Sequence, residues 1–347
     1  MALKIWINRL SKLMRRISQP YGAMIRCTIL TIGIVIALVA AGLVGAARAQ
    51  EARRLCVLVP HFKDDYWLSV GYGLEREAAR RNVQLRFFEA GGYRALAAQL
   101  KQLEVCAQAD VDGILIGAVS SDHPDMTAAV ARAARQVPVI ALVNELHAEQ
   151  LAGRIGVDWR DMGHEIGAFL SRQHPEGAAP KTAIFLNGPR EAGWTGPLES
   201  GLRAGLENSS VDIVDVLRAD TGVRAQLDLV EAAMARHADV DYVIGNAPAI
   251  EAALGVLATQ DARAQPLLVS TYMTPSVLRG LINGQVRAAP FDDPVQQGVM
   301  AIRHAVSGGD ADTPDGLIGP ALQLLTAGGD SLQSITFPPA TYFPLIE

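Results

Sequence analysis

The sequence lacks the motifs that mark the common catalytic classes. It contains no G-x-S-x-G elbow, no H-E-x-x-H, no lysine-containing phosphate loop and no G-x-G-x-x-G after the first predicted strand. The seven histidines are dispersed, and His61, which lies near the predicted cleft, is typical of a satisfied polar group rather than a base. Asp64 and Asp65 are sequence neighbours, whose side chains normally point apart. Because no nucleophile and base arrangement is present, the sequence predicts that the protein is not an enzyme.

Cysteine is scarce, at three residues. No C-x-x-C pair and no cysteine–histidine ligand spacing occurs, so the sequence predicts neither a metal site nor a cofactor. Cys27 lies in the amino-terminal segment, Cys56 on the first predicted strand and Cys106 late in a helix. The last two are either small buried hydrophobic residues or one disulfide in an oxidising compartment. Their apolar neighbours favour two free thiols.

Acidic residues are missing from the first 49 positions, which hold seven lysines and arginines and an apolar run at 27–44. Ala47-Arg48-Ala49 fits the small-x-small pattern of a signal peptidase site. Residues 1–49 are therefore predicted to be an export signal, cleaved after Ala49, which places the mature protein in the periplasm. A start at Met24 would give a more compact signal, and an uncleaved membrane anchor is the alternative interpretation.

Basic residues are the minority in the rest of the chain. Without the seven in the signal, 24 lysines and arginines remain against 36 aspartates and glutamates, a net charge of −12. Nucleic acid and anionic membrane surfaces are therefore not predicted partners, because binding them requires a basic patch. The 347 residues are 50% hydrophobic and 19% charged, which is typical of a globular protein with material for two domains.

Buried strands alternate with amphipathic helices along the remaining chain, which predicts an α/β fold built from parallel sheets. The apolar run 54–60, closed by Pro60, is typical of a strand that is buried on both faces. The other predicted strands are 83–89, 113–117, 137–143 and 155–157 in one half, and 182–186, 212–217, 242–245 and 266–270 in the other, followed by a helix at 294–307 and a strand at 318–325.

These last two elements are too many for the second half alone, so the chain is predicted to cross back between two doubly wound lobes with a cleft between them. The expected first lobe is 50–158 plus about 290–317, and the expected second lobe is 159–289 plus about 318–347.

Aromatic residues make up only 5% of the sequence, yet five of them directly follow predicted strands: Tyr66, Trp67, Tyr93, Trp159 and Tyr272. The carboxyl ends of parallel strands are where open α/β sheets bind ligands, so these five should surround one cleft. The negative faces of aromatic rings attract a methylated ammonium group. Rings at these positions also stack on sugars, so the aromatic residues alone do not choose between the two ligands.

Two aspartates and one further tryptophan complete the candidate site. Asp64 lies in the loop with the first two aromatic residues, and Asp292 lies in a loop that returns to the cleft, where it would bind ligand or support the rings. Asp293 is predicted to cap a helix. Tyr93 could instead cap the following helix, and Trp159 could fill the crossover as packing. Trp194 is predicted to contact the core or a partner rather than the ligand.

Four motifs give this chain a family resemblance: VPHFKDDYWLSV (59–70), FEAGGY (88–93), VSTYMTP (269–275) and AAPFDDP (288–294). The order of elements over 52–340 resembles the type I periplasmic binding proteins, which include ribose and galactose receptors. The four motifs are similar to the members that sense trimethylamine N-oxide. The resemblance implies hinged lobes, a trimethylamine N-oxide ligand, and a partner that is the periplasmic sensor domain of a membrane hybrid histidine kinase, inducing respiration on that N-oxide.

A transport receptor for a sugar, or for another methylammonium compound such as a betaine, is the alternative within the same fold. Sugar-binding relatives usually carry an arginine at the position that Leu198 occupies here. A polyol without that donor would leave hydroxyl groups unpaired, at a cost of roughly 1 to 3 kcal/mol each. This departure favours the sensor over the sugar receptor.

Overall fold

A computed structural model describes residues 52–258, 265–308 and 316–347. The predicted export signal, its cleavage site, Met24 and Cys27 lie outside the described residues. None of the helices in the described ranges has the length and apolar character that a membrane crossing needs.

The described strands are β1 (Arg53–Val59), β2 (Val83–Glu89), β3 (Gly113–Ile116), β4 (Val139–Leu142), β5 (Gly153–Ile155), β6 (Lys181–Asn187), β7 (Val211–Arg218), β8 (Tyr242–Gly245), β9 (Leu267–Ser270), β10 (Val286–Phe291), β11 (Leu317–Ile318) and β12 (Gln323–Thr326). The helices are α1 (Asp65–Arg81), α2 (Leu96–Gln108), α3 (Pro124–Ala133), α4 (Trp159–Gln173), α5 (Thr195–Gly205), α6 (Val223–Arg236), α7 (Ala247–Leu257), α8 (Pro275–Ile282) and α9 (Pro294–Ser307), with a 3₁₀ turn at Asp330–Ser334.

The strands form two six-stranded sheets, each with its own set of covering helices. The first has the order β11-β5-β4-β3-β1-β2 and the second β12-β10-β9-β8-β6-β7. Pairing is parallel except between β10 and β12. The central strands are apolar and buried along their whole length, as parallel strands covered on both faces must be. The predicted class of two doubly wound parallel-sheet lobes is confirmed. We call the sheets with their helices the first and second lobe.

Residues 318–325 are not one strand, as the sequence suggested, but two strands in different sheets. β11 pairs with β5 of the first sheet, and β12 pairs with β10 of the second. Gly319 and Pro320 interrupt the run between them. A Cβ atom on Gly319 would lie 1.8 Å from the carbonyl oxygen of Gly156 in another crossover, so two connections between the lobes run side by side here.

We propose the predicted lobe limits as domain boundaries, supported by the membership of the two sheets, with the return to the first lobe after Asp292 rather than at about 290, because β10 of the second sheet runs to Phe291. The end of the chain departs from these limits. Ile346 pairs with Phe87 at the edge of β2, and the backbone N–H of Glu347 donates to the carbonyl of Phe87 (2.9 Å). The final residues therefore contact the first lobe, although the sequence analysis assigned 318–347 entirely to the second.

Cys56 and Cys106 form a disulfide, with 6.1 Å between their Cα atoms. The prediction of two free thiols was wrong. Both residues are fully buried, and α2 packs over β1 so that the two side chains meet. The apolar residues next to each cysteine in the sequence correctly indicated that both side chains are buried. They gave no information about which residue lies opposite each cysteine in the fold.

Replacement of both cysteines by alanine should lower the free energy of unfolding by about 4 kcal/mol, because the bond closes a loop of 50 residues. Thermal unfolding of the wild-type protein with and without reductant measures this effect, and reductant should not change the double variant. An unchanged wild-type unfolding midpoint in reductant would contradict a stabilising disulfide.

The second lobe depends on a close helix crossing. A Cβ atom on Gly201 of α5 would lie 1.9 Å from the carbonyl oxygen of Arg160 in α4, so any side chain there forces the two helices apart. Gly196, on the same helix, faces open space.

Gly201→Ala should therefore destabilise the protein by about 1 to 3 kcal/mol, the usual cost of overpacking a rigid contact. Gly196→Ala is the matched control and should be neutral or stabilise by up to about 1 kcal/mol. Denaturant unfolding of both variants makes the comparison, and equal effects would show that the helix contact is not limiting.

Candidate binding site

Six aromatic side chains from both lobes meet in the cleft, and we call this set the aromatic cage: Tyr66, Trp67, Tyr93, Trp159, Trp194 and Tyr272. All six are buried. Asp64, Val143, Asn144 and Thr221 complete the lining, and the space left between the side chains is about 10 Å³. The closed cage thus leaves room on the scale of one water molecule.

The structure brings the predicted site residues together. Six of the seven (Asp64, Tyr66, Trp67, Tyr93, Trp159 and Tyr272) line the cage. Asp292 does not line it but accepts a hydrogen bond from the Tyr66 hydroxyl behind the ring. The role of these residues in binding ligand remains a prediction.

Four residues of the cage lining were not among the predicted site residues: Val143, Asn144, Trp194 and Thr221. Trp194 was expected to contact the core or a partner; it is buried in the core, and its ring also lies 5.3 Å from that of Trp159, centroid to centroid, within the cage. Trp194 directly precedes α5, and the predicted aromatic residues likewise precede or begin other helices. An aromatic residue at the start of a helix is therefore the sequence signal that could have identified Trp194. Val143 and Asn144 carry no such signal in the sequence.

Most ring pairs of the cage contact edge to face, whereas Trp159 is tilted against Tyr66 and Trp194. Ring centroids are 5.2 Å apart for Tyr66 and Tyr272, 6.2 Å for Tyr66 and Trp159, and 6.3 Å for Trp194 and Tyr272. These separations fall in the favourable range for aromatic pairs. Rings of the first lobe therefore pack against rings of the second, and the cage exists only while the lobes are together.

Helix starts position most of the cage. Asp64 is the N-cap of α1 and accepts from the backbone N–H of Tyr66 (2.9 Å), which fixes Tyr66 and Trp67 in the first turn. Trp159 is the first residue of α4, after the N-cap Asp158. Two tryptophan rings pack directly on glycines. A Cβ atom at Gly117 would lie 2.2 Å from the ring of Trp67, and a Cβ atom at Gly188 would lie 2.4 Å from the ring of Trp194, so a side chain at either position would displace the ring.

A strained turn forms another wall. Val143 has φ +67°, which is rare for a β-branched residue, and the backbone N–H of Asn144 donates to the carbonyl of Leu142 (2.7 Å), closing a γ-turn. The indole N–H of Trp159 donates to the carbonyl of Val143 (3.1 Å). The turn thereby holds the indole of Trp159 and places the Asn144 amide in the cage. Strain of this kind is typical of functional sites.

Two phenol–carboxyl hydrogen bonds join the lobes. The Tyr272 hydroxyl of the second lobe donates to Asp64 Oδ2 of the first (2.5 Å). In the opposite sense, the Tyr66 hydroxyl of the first lobe donates to Asp292 Oδ2, at the end of β10 (2.5 Å), which also accepts from Gln297 Nε2 (2.8 Å). Each lobe thus provides one donor and one acceptor to the closed arrangement.

Burial sets the charge state of these groups. It raises the pKa of Asp64 to about 7 and that of Asp292 to about 6, although hydrogen bonds from the two phenols oppose the shift. Within the described residues, no lysine or arginine forms an ion pair with either carboxyl group. Burial also holds the pKa of the Tyr66 and Tyr272 hydroxyls well above their usual range.

The hydroxyl group of Tyr93 accepts hydrogen bonds but donates its own proton to no acceptor among the described residues. Its oxygen accepts from Trp67 Nε1 (3.4 Å) and from Asn144 Nδ2 (3.3 Å). Burial raises the pKa of Tyr93 to about 12, so the group is protonated at neutral pH. Trp194 also hydrogen-bonds to this hydroxyl, and because the indole and amide N–H groups can only donate here, the Tyr93 O–H remains free to donate to an acceptor in the cage.

Tyr272→Phe should lower the free energy of unfolding more at pH 8 than at pH 5. At pH 8 the variant leaves the buried Asp64 carboxylate without its phenol donor, at about 1.5 to 3 kcal/mol, whereas at pH 5 the protonated acid loses only a neutral hydrogen bond of about 1 kcal/mol. Denaturant unfolding at both pH values measures the difference. Tyr72→Phe, which removes a phenol hydroxyl outside the cage, is the control. An equal loss at both pH values would contradict the assigned charge state.

Comparison with known proteins places the chain among the periplasmic receptors. The family model described as "Periplasmic binding protein domain" matches residues 55–307. The periplasmic protein TorT of Escherichia coli K12 is 36% identical over 279 residues, which cover 80% of this chain and 79% of that protein. TorT of E. coli O157:H7 is equally similar.

Solved structures give the same result. The complex of the TorS sensor domain with TorT, in the absence of ligand, contains a chain that matches with a TM-score of 0.73 and 34% identity, covering 85% of this chain and 100% of that one. The same complex in the presence of trimethylamine N-oxide matches with a TM-score of 0.72 and 34% identity over the same shares of the two chains. An ABC transporter solute-binding protein from Bradyrhizobium, with bound Bis-Tris, is 32% identical with a TM-score of 0.69, covering 86% of this chain and 90% of that one.

The family resemblance inferred from the four motifs is therefore confirmed, and with it the periplasmic, receptor-type character of the chain's relatives. The chain belongs to the TorT family of periplasmic binding proteins.

Proposed function

We propose that the protein is a periplasmic sensor that binds trimethylamine N-oxide in the aromatic cage and presents the bound state to the sensor domain of a TorS-like membrane histidine kinase. The observation that carries the proposal is the cage itself, which is closed by rings from both lobes. The TorT relative, solved in complex with the TorS sensor domain with and without trimethylamine N-oxide, supports both the ligand and the partner. By this proposal the signal induces respiration on the N-oxide.

The chemistry of the ligand matches the lining. Trimethylamine N-oxide has three methyl groups on a positively charged nitrogen, and each good contact of such a group with an aromatic face is worth about 0.5 to 2 kcal/mol. The cage supplies six rings to this small group. The phenols of Tyr66 and Tyr272 donate to carboxyl groups, which leaves their ring faces electron-rich.

The N-oxide oxygen requires a hydrogen-bond donor, and the free hydroxyl proton of Tyr93 supplies one. Trp67 and Asn144 both donate to the Tyr93 oxygen, so the hydroxyl is oriented before ligand enters. A donor held in place by its neighbours does not lose freedom on binding, which favours affinity.

The lining argues against the alternative ligands. A betaine carboxylate would need a cationic partner, but the lining contains no lysine or arginine and does contain Asp64. A sugar would need several polar partners placed around its hydroxyl groups, whereas most of the lining is aromatic. Leu198, at the position where sugar receptors usually carry arginine, is fully buried and does not line the cage. A transport receptor is therefore the less favoured function.

The proposal includes no catalytic step. Asp64 and Asp292 are engaged in hydrogen bonds between the lobes, and His61 donates to or accepts from Thr221 Oγ1 of the second lobe (2.8 Å). Burial lowers the pKa of His61 to about 4, so its imidazole is neutral. These groups support closure rather than acid or base chemistry. Ligand would favour the closed lobes by contacting both, and the kinase domain would read that closed form.

Titration calorimetry of the purified protein tests the function. Trimethylamine N-oxide should bind saturably, whereas glycine betaine, ribose and galactose should not. Binding of a sugar with no response to the N-oxide would overturn the sensor proposal in favour of transport.

Trp67→Ala should weaken N-oxide binding by at least about 30-fold, since it removes one ring face and one of the donors to Tyr93, together about 2 kcal/mol or more. Tyr72→Ala, on the same helix but outside the cage, is the matched control and should keep wild-type affinity. Thermal unfolding of both variants checks that they are folded. Equal affinity of Trp67→Ala and wild type would remove the cage from the proposal.

A further inference from the structure

Two buried carboxyl groups serve a cage whose ligand has no net charge, and one of them, Asp64, lines the cage directly. We propose that Asp64 is the specificity-determining residue that separates N-oxides from ammonium ions: it meets an N-oxide as the neutral carboxylic acid and an ammonium ion as the carboxylate. This inference rests on the proposed function of the cage.

The hydrogen bonds of Asp64 limit what it can offer a ligand. Oδ1 accepts from the backbone N–H of Tyr66, and Oδ2 is bonded to the Tyr272 hydroxyl. When Asp64 is ionised, the Asp64–Tyr272 pair holds one proton, which is used in the bond between them. When Asp64 is protonated, the pair holds two protons and still needs only one for that bond. The second O–H is then free to donate to the oxygen of an N-oxide.

An ammonium ion reverses this requirement. It carries a net positive charge and no acceptor, so it is stabilised by a carboxylate and gains nothing from an added O–H. An N-oxide in the same position leaves the carboxylate without a compensating charge in a dry cleft, which is costly. The protonation of Asp64 therefore selects between the two ligand classes while the rings accept both.

No cationic group compensates Asp64 from the surrounding elements. The groups that face it are Tyr66 and Asp65 on α1, Tyr272 after β9, Tyr93 after β2 and Glu251 on α7. The two anionic members, Asp65 and Glu251, add to the effect of burial in raising the pKa of Asp64 to about 7, whereas hydrogen bonds from Tyr272 and the Tyr66 N–H act in the opposite direction.

The sign of the pH dependence follows from this shift. Closure raises the pKa of Asp64 from its ordinary 3.8 to about 7, so N-oxide binding takes up a proton and weakens as pH rises through 7. His61 acts in the opposite direction, because burial lowers its pKa from 6.5 to about 4, so closure releases the proton that part of the open form carries at pH 6.5. Asp292, with a pKa raised to about 6, adds a smaller uptake. The pH dependence between 6.5 and 8 is therefore the net effect of three groups, and the Asp64→Asn variant isolates the contribution of Asp64.

Calorimetric titration at pH 6.5 and 8, in two buffers with different heats of ionisation, counts the protons that accompany binding. Trimethylamine N-oxide should bind with net proton uptake at pH 6.5, and its affinity should fall about two- to threefold between the two pH values. Tetramethylammonium, which does not titrate, should bind without uptake and at least as tightly at pH 8 as at pH 6.5.

Asp64→Asn should abolish the fall in N-oxide affinity toward pH 8 and weaken tetramethylammonium binding about tenfold or more, because the amide keeps a donor but has no charge. Asparagine also serves as an N-cap, so α1 keeps its start. Asp125→Asn, at an exposed position in the first turn of α3, is the control and should retain the fall in N-oxide affinity toward pH 8.

Saturable N-oxide binding with equal affinity at both pH values and no proton uptake would overturn this inference and leave the proposed function intact. The same fall in affinity in Asp64→Asn would also overturn it, by assigning the proton elsewhere. If the wild-type protein bound tetramethylammonium but not the N-oxide at either pH, the proposed function itself would fail. The proton count on the wild-type protein decides the question even if the asparagine variant does not fold.

Discussion

The closed arrangement depends on two hydrogen bonds that run in opposite directions across the cleft. Tyr272 donates to Asp64 and Tyr66 donates to Asp292, so that each lobe supplies one phenol and one carboxyl group. Both bonds are buried, which strengthens them and makes an unpaired partner expensive. The phenols that make them are also walls of the cage. Closure and formation of the binding site are therefore one event, and a ligand that contacts both lobes stabilises both together.

The same arrangement explains how a site for a methylated nitrogen can be built from neutral rings beside carboxyl groups. Six rings provide the attraction, and no lysine or arginine lines the cage. Because burial raises the pKa of both Asp64 and Asp292, the carboxyl groups can hold protons near neutral pH. The charge of the cage then adapts to the ligand, while the strained turn at Val143 and the helix starts keep the rings in place.

Much of the fold and most of the site could be predicted from the sequence, for local reasons. Buried apolar runs alternating with amphipathic helices indicate parallel sheets, and residues after such strands gather at one edge, which is why the sequence pattern alone places Tyr66, Tyr93 and Tyr272 together. Trp194 was left out of the predicted site because its loop follows β6 at a distance of several residues. Val143 and Asn144 were missed because a γ-turn with positive φ at valine has no sequence signature.

The sequence by itself determined the class of fold, the set of loops that form the cleft and the aromatic character of the site, since these follow from patterns that repeat along the chain. Only the tertiary structure decided which residues become partners: Cys56 with Cys106, Tyr272 with Asp64, and strand β12 with β10 instead of continuing β11. The reason is physical. Hydrophobic periodicity fixes how deeply a side chain is buried, whereas the identity of its neighbour depends on how separate helices and strands pack against one another.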